Sequence, residues 1–177
     1  DKGEIVTGDE VRPGDVLLGL PSTGIHTNGY TLARSVLFDR YTVDDRPSEL
    51  GGASVGEALL RVHRSYLRPI RTLVEADLAR GLAHITGGGL PNNLGRVVPE
   101  GCAAAVDYDA WDRPSIFALI QELGEVPEDD MRQTFNLGIG MVAVVRAEDV
   151  SRAVEQLEAA GESPIQVGQI EAAAESS

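Results

Sequence analysis

Along this chain the apolar positions switch between a period of two, a period near four and unbroken short runs, and the switches mark out its elements. Val16-Leu17-Leu18-Gly19-Leu20 is an unbroken apolar run, the pattern of a buried strand. It follows a turn signal, Arg12-Pro13-Gly14-Asp15, and a weak alternation over Glu4-Ile5-Val6-Thr7 that reads as a strand. After a polar loop, Leu32, Val36 and Leu37 predict a helix from about Tyr30, with Thr27 or Asn28 as its N-cap. Residues 44–53 are polar and rich in glycine and proline, an exposed loop. Ser54 and Glu57 have capping-box spacing and open a helix carrying Leu59, Leu60 and Val62. Pro69 interrupts the pattern. A further helix then runs to about Arg80 on Ile70, Leu73, Val74 and Leu78, with Gly81 as its stop.

The second half continues in the same way. Leu82-Ala83-His84-Ile85-Thr86 predicts a short strand, and a short helix after the next loop ends near Pro99. Ala103-Ala104-Ala105-Val106-Asp107 is a weaker strand. Pro114 suits the first position of a helix whose stripe is Ile116, Leu119, Ile120 and Leu123. Residues 138–145 give the clearest strand, and residues 147–160 the clearest helix, closed by Gly161. Residues 165–170 alternate as a strand with one solvated face. Residues 171–177 are small and polar and predict a frayed, disordered tail. Strands and helices intermix without strict alternation, so the expected fold is α+β, a mixed β-sheet covered by helices, in one domain over residues 1–177.

Charge and composition narrow the function classes. A formal net charge of -13 removes the basic face that non-specific nucleic-acid binding requires. No apolar run approaches a membrane span, and no leader pattern opens the chain. Cys102 is the one cysteine, so neither an internal disulfide nor a cysteine metal site is expected, in keeping with a reducing cytoplasm. The chain starts at Asp1 rather than Met and is expected to be part of a longer protein.

Three loops carry the candidate chemistry. Ser22-Thr23-Gly24-Ile25-His26-Thr27-Asn28-Gly29 joins a strand to a helix and combines hydroxyls, an amide, an imidazole and glycines. Glycines admit close backbone approach, a helix start offers N–H donors to a phosphate, and His26 suits proton transfer or oxyanion stabilisation. The plain alternative is a tight loop with an N-cap and a surface histidine. His84-Ile85-Thr86-Gly87-Gly88-Gly89-Leu90-Pro91-Asn92-Asn93 holds three successive glycines, costly to order unless the backbone must fit something. It too reads alternatively as a flexible connection capped by Asn92 or Asn93. Neither loop matches a Walker A or dinucleotide fingerprint. In Phe135-Asn136-Leu137-Gly138-Ile139-Gly140-Met141, glycines at a strand entry indicate a bulge or close backbone approach, with Asn136 either a ligand contact or a turn residue. His26, His63 and His84 are widely separated along the chain, so no metal-ligand cluster is expected. Glu128-Asp129-Asp130 and Asp44-Asp45 read as solvated charge.

These segments, in order, resemble the carboxyl-terminal half of the phosphoribosylformylglycinamidine cyclo-ligase (aminoimidazole ribonucleotide synthetase) family. The carrying motifs are residues 14–30, Gly56-Glu57-Ala58-Leu59-Leu60, Tyr66-Leu67-Arg68-Pro69, residues 84–94 and residues 135–141. The resemblance implies an AIR synthetase carboxyl-terminal-domain fold. It also implies an ATP-dependent ring closure of formylglycinamidine ribonucleotide to aminoimidazole ribonucleotide in purine biosynthesis. ATP and Mg2+ would be bound mainly by an amino-terminal domain of the same protein, the small-molecule phosphoribosyl substrate would enter the shared cleft, and the full-length protein would be a cytoplasmic homodimer. The isolated fragment is expected to be inactive. The implied catalytic candidates are His26 and His84. The implied substrate-binding residues are Ser22, Thr23, Gly24, Thr27, Asn28, Arg64, Thr86, Gly87, Gly88, Gly89, Asn92, Asn93 and Asn136, with no metal ligand among them. One departure stands out: the family usually has Pro-Thr where this chain has Val62-His63 before the basic Arg64. The alternatives are a non-catalytic ligand-binding or assembly domain, or another member of the superfamily such as selenophosphate synthetase or thiamine-monophosphate kinase.

Overall fold

A computed structural model describes residues 6–173. Five strands form one sheet: β1 (Val16–Pro21), β2 (Gly81–His84), β3 (Cys102–Val106), β4 (Ile139–Val145) and β5 (Ile165–Ala172), in the order β2-β4-β1-β5-β3. The α+β class and the helix-covered sheet are as expected. Every pairing is antiparallel, so the sheet is antiparallel and not the mixed sheet expected. Alternation along each strand divides two cores. Val16, Leu18, Leu20, Ala143 and Val145 face one side, while Leu17, Val142, Val144 and Val167 face the other. Both faces of β1 and β4 are covered, so these two strands read as continuous apolar runs.

Among the described residues seven α-helices complete the fold: α1 (Tyr30–Leu37), α2 (Val55–Leu59), α3 (Leu67–Glu75), α4 (Gly89–Leu94), α5 (Ser115–Leu123), α6 (Glu128–Thr134) and α7 (Val150–Ala159). Leu73 of α3 and Ala153 and Leu157 of α7 cover the first face, and Leu90 and Leu94 of α4 lie on the second. The helices α1, α2, α5 and α6 share a separate apolar cluster around Phe117 and Phe135. Burying a side chain such as Phe117 contributes about 1.5–3 kcal/mol relative to exposure, so this cluster fixes the loops that α1 and α6 terminate.

Several elements differ from the sequence pattern, for identifiable reasons. α1 is capped by Gly29 in the left-handed region (φ 76), not by Thr27 or Asn28. A Cβ at Gly29 would lie 2.2 Å from the Phe135 ring, so packing selects glycine there. α2 stops at Leu59, leaving Leu60 and Val62 77% and 85% exposed rather than on a buried helical face. Pro69 does not interrupt a helix. It sits in the first turn of α3, where its missing N–H has no partner to lose. α3 ends at Glu75, not near Arg80, because Asp77 takes a positive φ of 56 and the chain turns into β2. The acidic run of residues 128–130 opens α6. Asp129 and Asp130 are exposed, but Glu128 is half-buried against Arg113, Gln121 and Arg132. Glu171 and Ala172 do not belong to a frayed tail, because they pair with Ala103 and Cys102, and residues 174–177 lie outside the described residues. Val6 and Thr7 are not in a strand, and Glu4 and Ile5 lie outside the described residues.

Candidate functional site

Topology brings the three glycine-rich segments together. β4 runs antiparallel between β1 and β2, so the ends of β1 and β2 meet the start of β4 at one end of the sheet. The loop of residues 22–29 leaves there from β1, and the loop of residues 85–88 leaves there from β2. Leu20 pairs with Met141 but Pro21 with Ile139, so the register slips past Gly140. This is the bulge and close approach that the glycine pattern indicated. A Cβ at Gly140 would stand 2.1 Å from the Tyr66 hydroxyl and 2.7 Å from Cε1 of His26. Gly140 is therefore the floor on which His26 and Tyr66 rest.

His26 is 3% exposed and adopts a left-handed backbone (φ 54), uncommon for a residue with a side chain. Its Nε2 accepts a hydrogen bond from the Thr23 backbone N–H at 3.2 Å, and its Nδ1 is buried without a protein partner. Burial first, then the neighbouring His63 and His84, lower its pKa from the ordinary value to about 4. At neutral pH it is a neutral ring held as an acceptor at Nε2. His84, at the end of β2, is exposed, and its pKa is also lowered, by desolvation and then by His63.

The sequence reasoning missed His63, and the structure places it between these two. Its ring stacks on His26 with centroids 3.9 Å apart and 18° between planes, and its Nε2 lies 3.3 Å from Nε2 of His84. Three histidines dispersed along the chain thus form one contiguous column. The available signal was the Val62-His63 departure from the pattern that the family resemblance implies. Tyr66 was also missed. It donates to the Pro21 carbonyl at 2.8 Å, and desolvation by burial raises its pKa, keeping it protonated.

The other candidate residues divide into those that hold the loops and those that remain open. Asn136, 3% exposed, donates from Nδ2 to the Gly24 carbonyl at 2.8 Å, and its Oδ1 accepts from Gly138 N–H and from the Ser22 hydroxyl, both at 2.8 Å. Thr23 ties the same loop to the next segment by donating to the Val62 carbonyl at 2.7 Å. Asn93 plays the corresponding part in the second loop. Its Nδ2 donates to Gly89 O at 2.7 Å, and its Oδ1 accepts from Thr86 Oγ1 at 3.1 Å. Gly88 and Gly89 both have positive φ, and a Cβ at Gly89 would fall 1.8 Å from the Arg132 carbonyl oxygen, so α4 can meet α6 only through glycine. Arg64 is turned into a 2.8 Å ion pair with the buried Glu162. Thr27, Gly87 and Asn92 are exposed, and Asn28 Oδ1 lies 3.6 Å from where a Cβ of Gly87 would stand, so the two loops adjoin. An open cavity of about 460 Å³ reaches Ser22 and Gly138 from the side of Trp111 and Pro114.

A sheet of this order with glycine-rich loops gathered at one end defines the AIR synthetase-like class of domain, and solved structures agree on the fold. The chain superposes on thiamine-monophosphate kinase from Stenotrophomonas maltophilia K279a with a TM-score of 0.64 at 18% identity, over 97% of this chain and 52% of that one. It superposes on the hydrogenase maturation protein HypE in complex with ATP with a TM-score of 0.57 at 21% identity, over 95% of this chain and 45% of that one. A family model described as AIR synthase related protein, C-terminal domain, matches residues 12–177. The chain belongs to that family. It is 46% identical over 171 residues to the phosphoribosylformylglycinamidine cyclo-ligase of Anaeromyxobacter sp. (strain Fw109-5), covering 97% of this chain and 50% of that protein. Against the protein of the same name from Bifidobacterium animalis subsp. lactis (strain AD011) it is 43% identical, covering 96% and 50%. The chain spans about half the length of the curated relatives it matches. Among the described residues no helix is long and apolar enough to cross a membrane.

Proposed function

We propose that this chain is the substrate-facing half of an ATP-dependent cyclo-ligase that closes formylglycinamidine ribonucleotide to aminoimidazole ribonucleotide. The observation that carries the reading is the meeting of the His26 and His84 loops over Gly140, on a chain 46% identical to a cyclo-ligase. In this reaction the γ-phosphoryl group of ATP passes to the formyl oxygen, and ADP leaves. The formamide N–H proton leaves as the phosphate ester forms, and a methylene proton finally moves to the exocyclic imine nitrogen to complete the aromatic ring. Between these steps the amidine nitrogen forms a bond to the formyl carbon, the carbon–oxygen bond breaks to release phosphate, and that nitrogen gives up a proton. His84, exposed and with lowered pKa, is the group suited to take that proton. His26, neutral and fixed by Thr23, orients the loop and excludes water rather than titrating at neutral pH. Thr27, Asn28, Gly87 and Asn92, all left accessible, are the positions for substrate and phosphate contacts.

Among the described residues no group of three or more His, Cys, Asp or Glu is placed to hold a metal ion. The reading assigns Mg2+ and most of the nucleotide contact to the remaining half of the longer protein. The same reading makes the full-length protein a cytoplasmic homodimer. The test is turnover in the full-length enzyme. His84→Asn is expected to lower kcat by about 10²–10⁴ with the unfolding midpoint unchanged, and this chain alone is expected to be inactive until the other half is added. Full turnover by the isolated chain, or by a folded His84→Asn enzyme, would remove the proposal.

A further inference from the structure

We propose that His63 and His84 form a two-imidazole chelate for a divalent transition-metal ion of the Zn2+ or Ni2+ class. Their Nε2 atoms face each other at 3.3 Å, with ring centroids 5.3 Å apart and 39° between planes. Imidazole nitrogens bind zinc at about 2.0–2.1 Å, so two of them on one tetrahedral ion stand roughly 3.3 Å apart. The separation is thus already the bite of a chelate. The ring that carries hydrogen on Nε2 in this contact shifts it to its own Nδ1, which frees both Nε2 lone pairs for the ion.

The pair is braced before any ion arrives. His63 is stacked face to face on His26, and His26 is pinned by Thr23 N–H, so ordering His63 costs little on binding. His84 leaves the rigid end of β2, next to its pairing with Met141. Of the other nearby groups, His26 Nε2 is held by Thr23, the Tyr66 hydroxyl by Pro21 and Glu162 by Arg64, while His26 Nδ1 is buried without a protein partner. Water on the exposed side of His84 therefore completes the coordination. A site with two protein ligands binds an exchangeable ion rather than a structural one. Mg2+, which takes oxygen ligands, does not compete there. An ion on His84 Nε2 also occupies a nitrogen otherwise available for proton transfer. The inference stands on the geometry of these two rings and is independent of the reaction proposed above.

The test is calorimetric titration of the full-length protein with ZnCl2 and with NiCl2, in excess Mg2+ to saturate oxygen sites. The wild type is compared with His63→Thr, His63→Asn and His84→Asn. One saturable site is expected in the wild type, weakening as pH falls because protons compete for the ligands. Each variant is expected to lose at least about tenfold in affinity for that site. His63 is only half-buried, and its two replacements guard against a folding failure in either. A reading that needs no variant is imidazole ¹⁵N NMR of the wild type. Zn2+ is expected to shift Nε2 of His63 and His84 and to leave His26 Nε2, bound to Thr23, in place. Unchanged affinity in the folded variants, or ring nitrogens unmoved by saturating Zn2+, would overturn the proposal.

Discussion

Asn136 distinguishes a residue that holds a site from one that works in it. All of its side-chain hydrogen-bonding atoms are spent inside the protein, on Gly24 O, Gly138 N–H and the Ser22 hydroxyl. In Asn136→Ala, Ser22 can turn its single proton to Gly24 O, already 3.1 Å away. Gly138 N–H is buried and is left without an acceptor, which costs about 1–3 kcal/mol, and the lost bond to Gly24 O adds about 1 kcal/mol. The expected loss is therefore about 2–4 kcal/mol, read as a lower urea midpoint at unchanged m-value. Asn136→Asp sharpens the case. It keeps the acceptor for Gly138 N–H and Ser22 but sets a carboxylate oxygen against the Gly24 carbonyl. It should lose at least as much as the alanine variant at pH 7 and recover part of the loss in acid, where the protonated carboxyl can donate to Gly24 O. A loss under about 1 kcal/mol for alanine, with aspartate fully tolerated, would show that the network does not hold the loop and would return Asn136 to the ligand.

Other consequences are as direct. Gly89→Ala sets a Cβ 1.8 Å from a backbone oxygen at φ 61 and should cost about 3 kcal/mol or more. Gly51→Ala has the same φ with nothing within 4 Å and should cost only about 1–2 kcal/mol; similar urea midpoints for the two would refute the packing argument. His26 has a folded pKa near 4 against 6.5 when free, so between those values the unfolded chain binds the extra proton. Stability is therefore at its full value above about pH 6.5 and is lost as pH falls toward 4, by roughly 3 kcal/mol at most. His26→Gln should flatten that part of the stability–pH curve. The carboxyl of Glu128 is held down to about 2, first by the hydrogen bonds from Arg113. Its contribution is present above about pH 4.5 and lost toward pH 2, so Glu128→Gln should remove the pH dependence in that lower window.

The sheet was legible because β1 and β4 bury both faces, which leaves unbroken apolar runs, and because Gly140 marks a close approach that no side chain permits. The helix α6 was not legible. Met131 is its one buried residue, and its first turn of three acidic residues looks the same on paper whether solvated or capped by Arg113 and Arg132. The end of α3 was lost for a related reason. Leu78 continues the helical spacing, yet it is buried from a turn that Asp77 makes with a positive φ. Local periodicity records which residues are covered, not which element covers them.

The site was legible as loops but not as chemistry. Glycine and amide content marked residues 22–29 and 86–93, and in the structure Asn93 and Asn136 turn out to be the ties that close those loops. The Val62-His63 departure marked the position of one ring but not the imidazole column, which needs β4 to run between β1 and β2 and so bring the ends of two distant strands together at one end of the sheet. That arrangement also separates the three rings by role. His26 is inward and neutral, His63 is stacked over it, and His84 is outward at the mouth. The residue that departs from the family pattern is thus the one that couples the other two. Replacing His63 by the Thr that the family usually carries there would leave each neighbouring loop tied by its own asparagine. It would remove the ring that stacks on His26 and meets His84 Nε2, leaving only the direct effect of His84 on the His26 pKa.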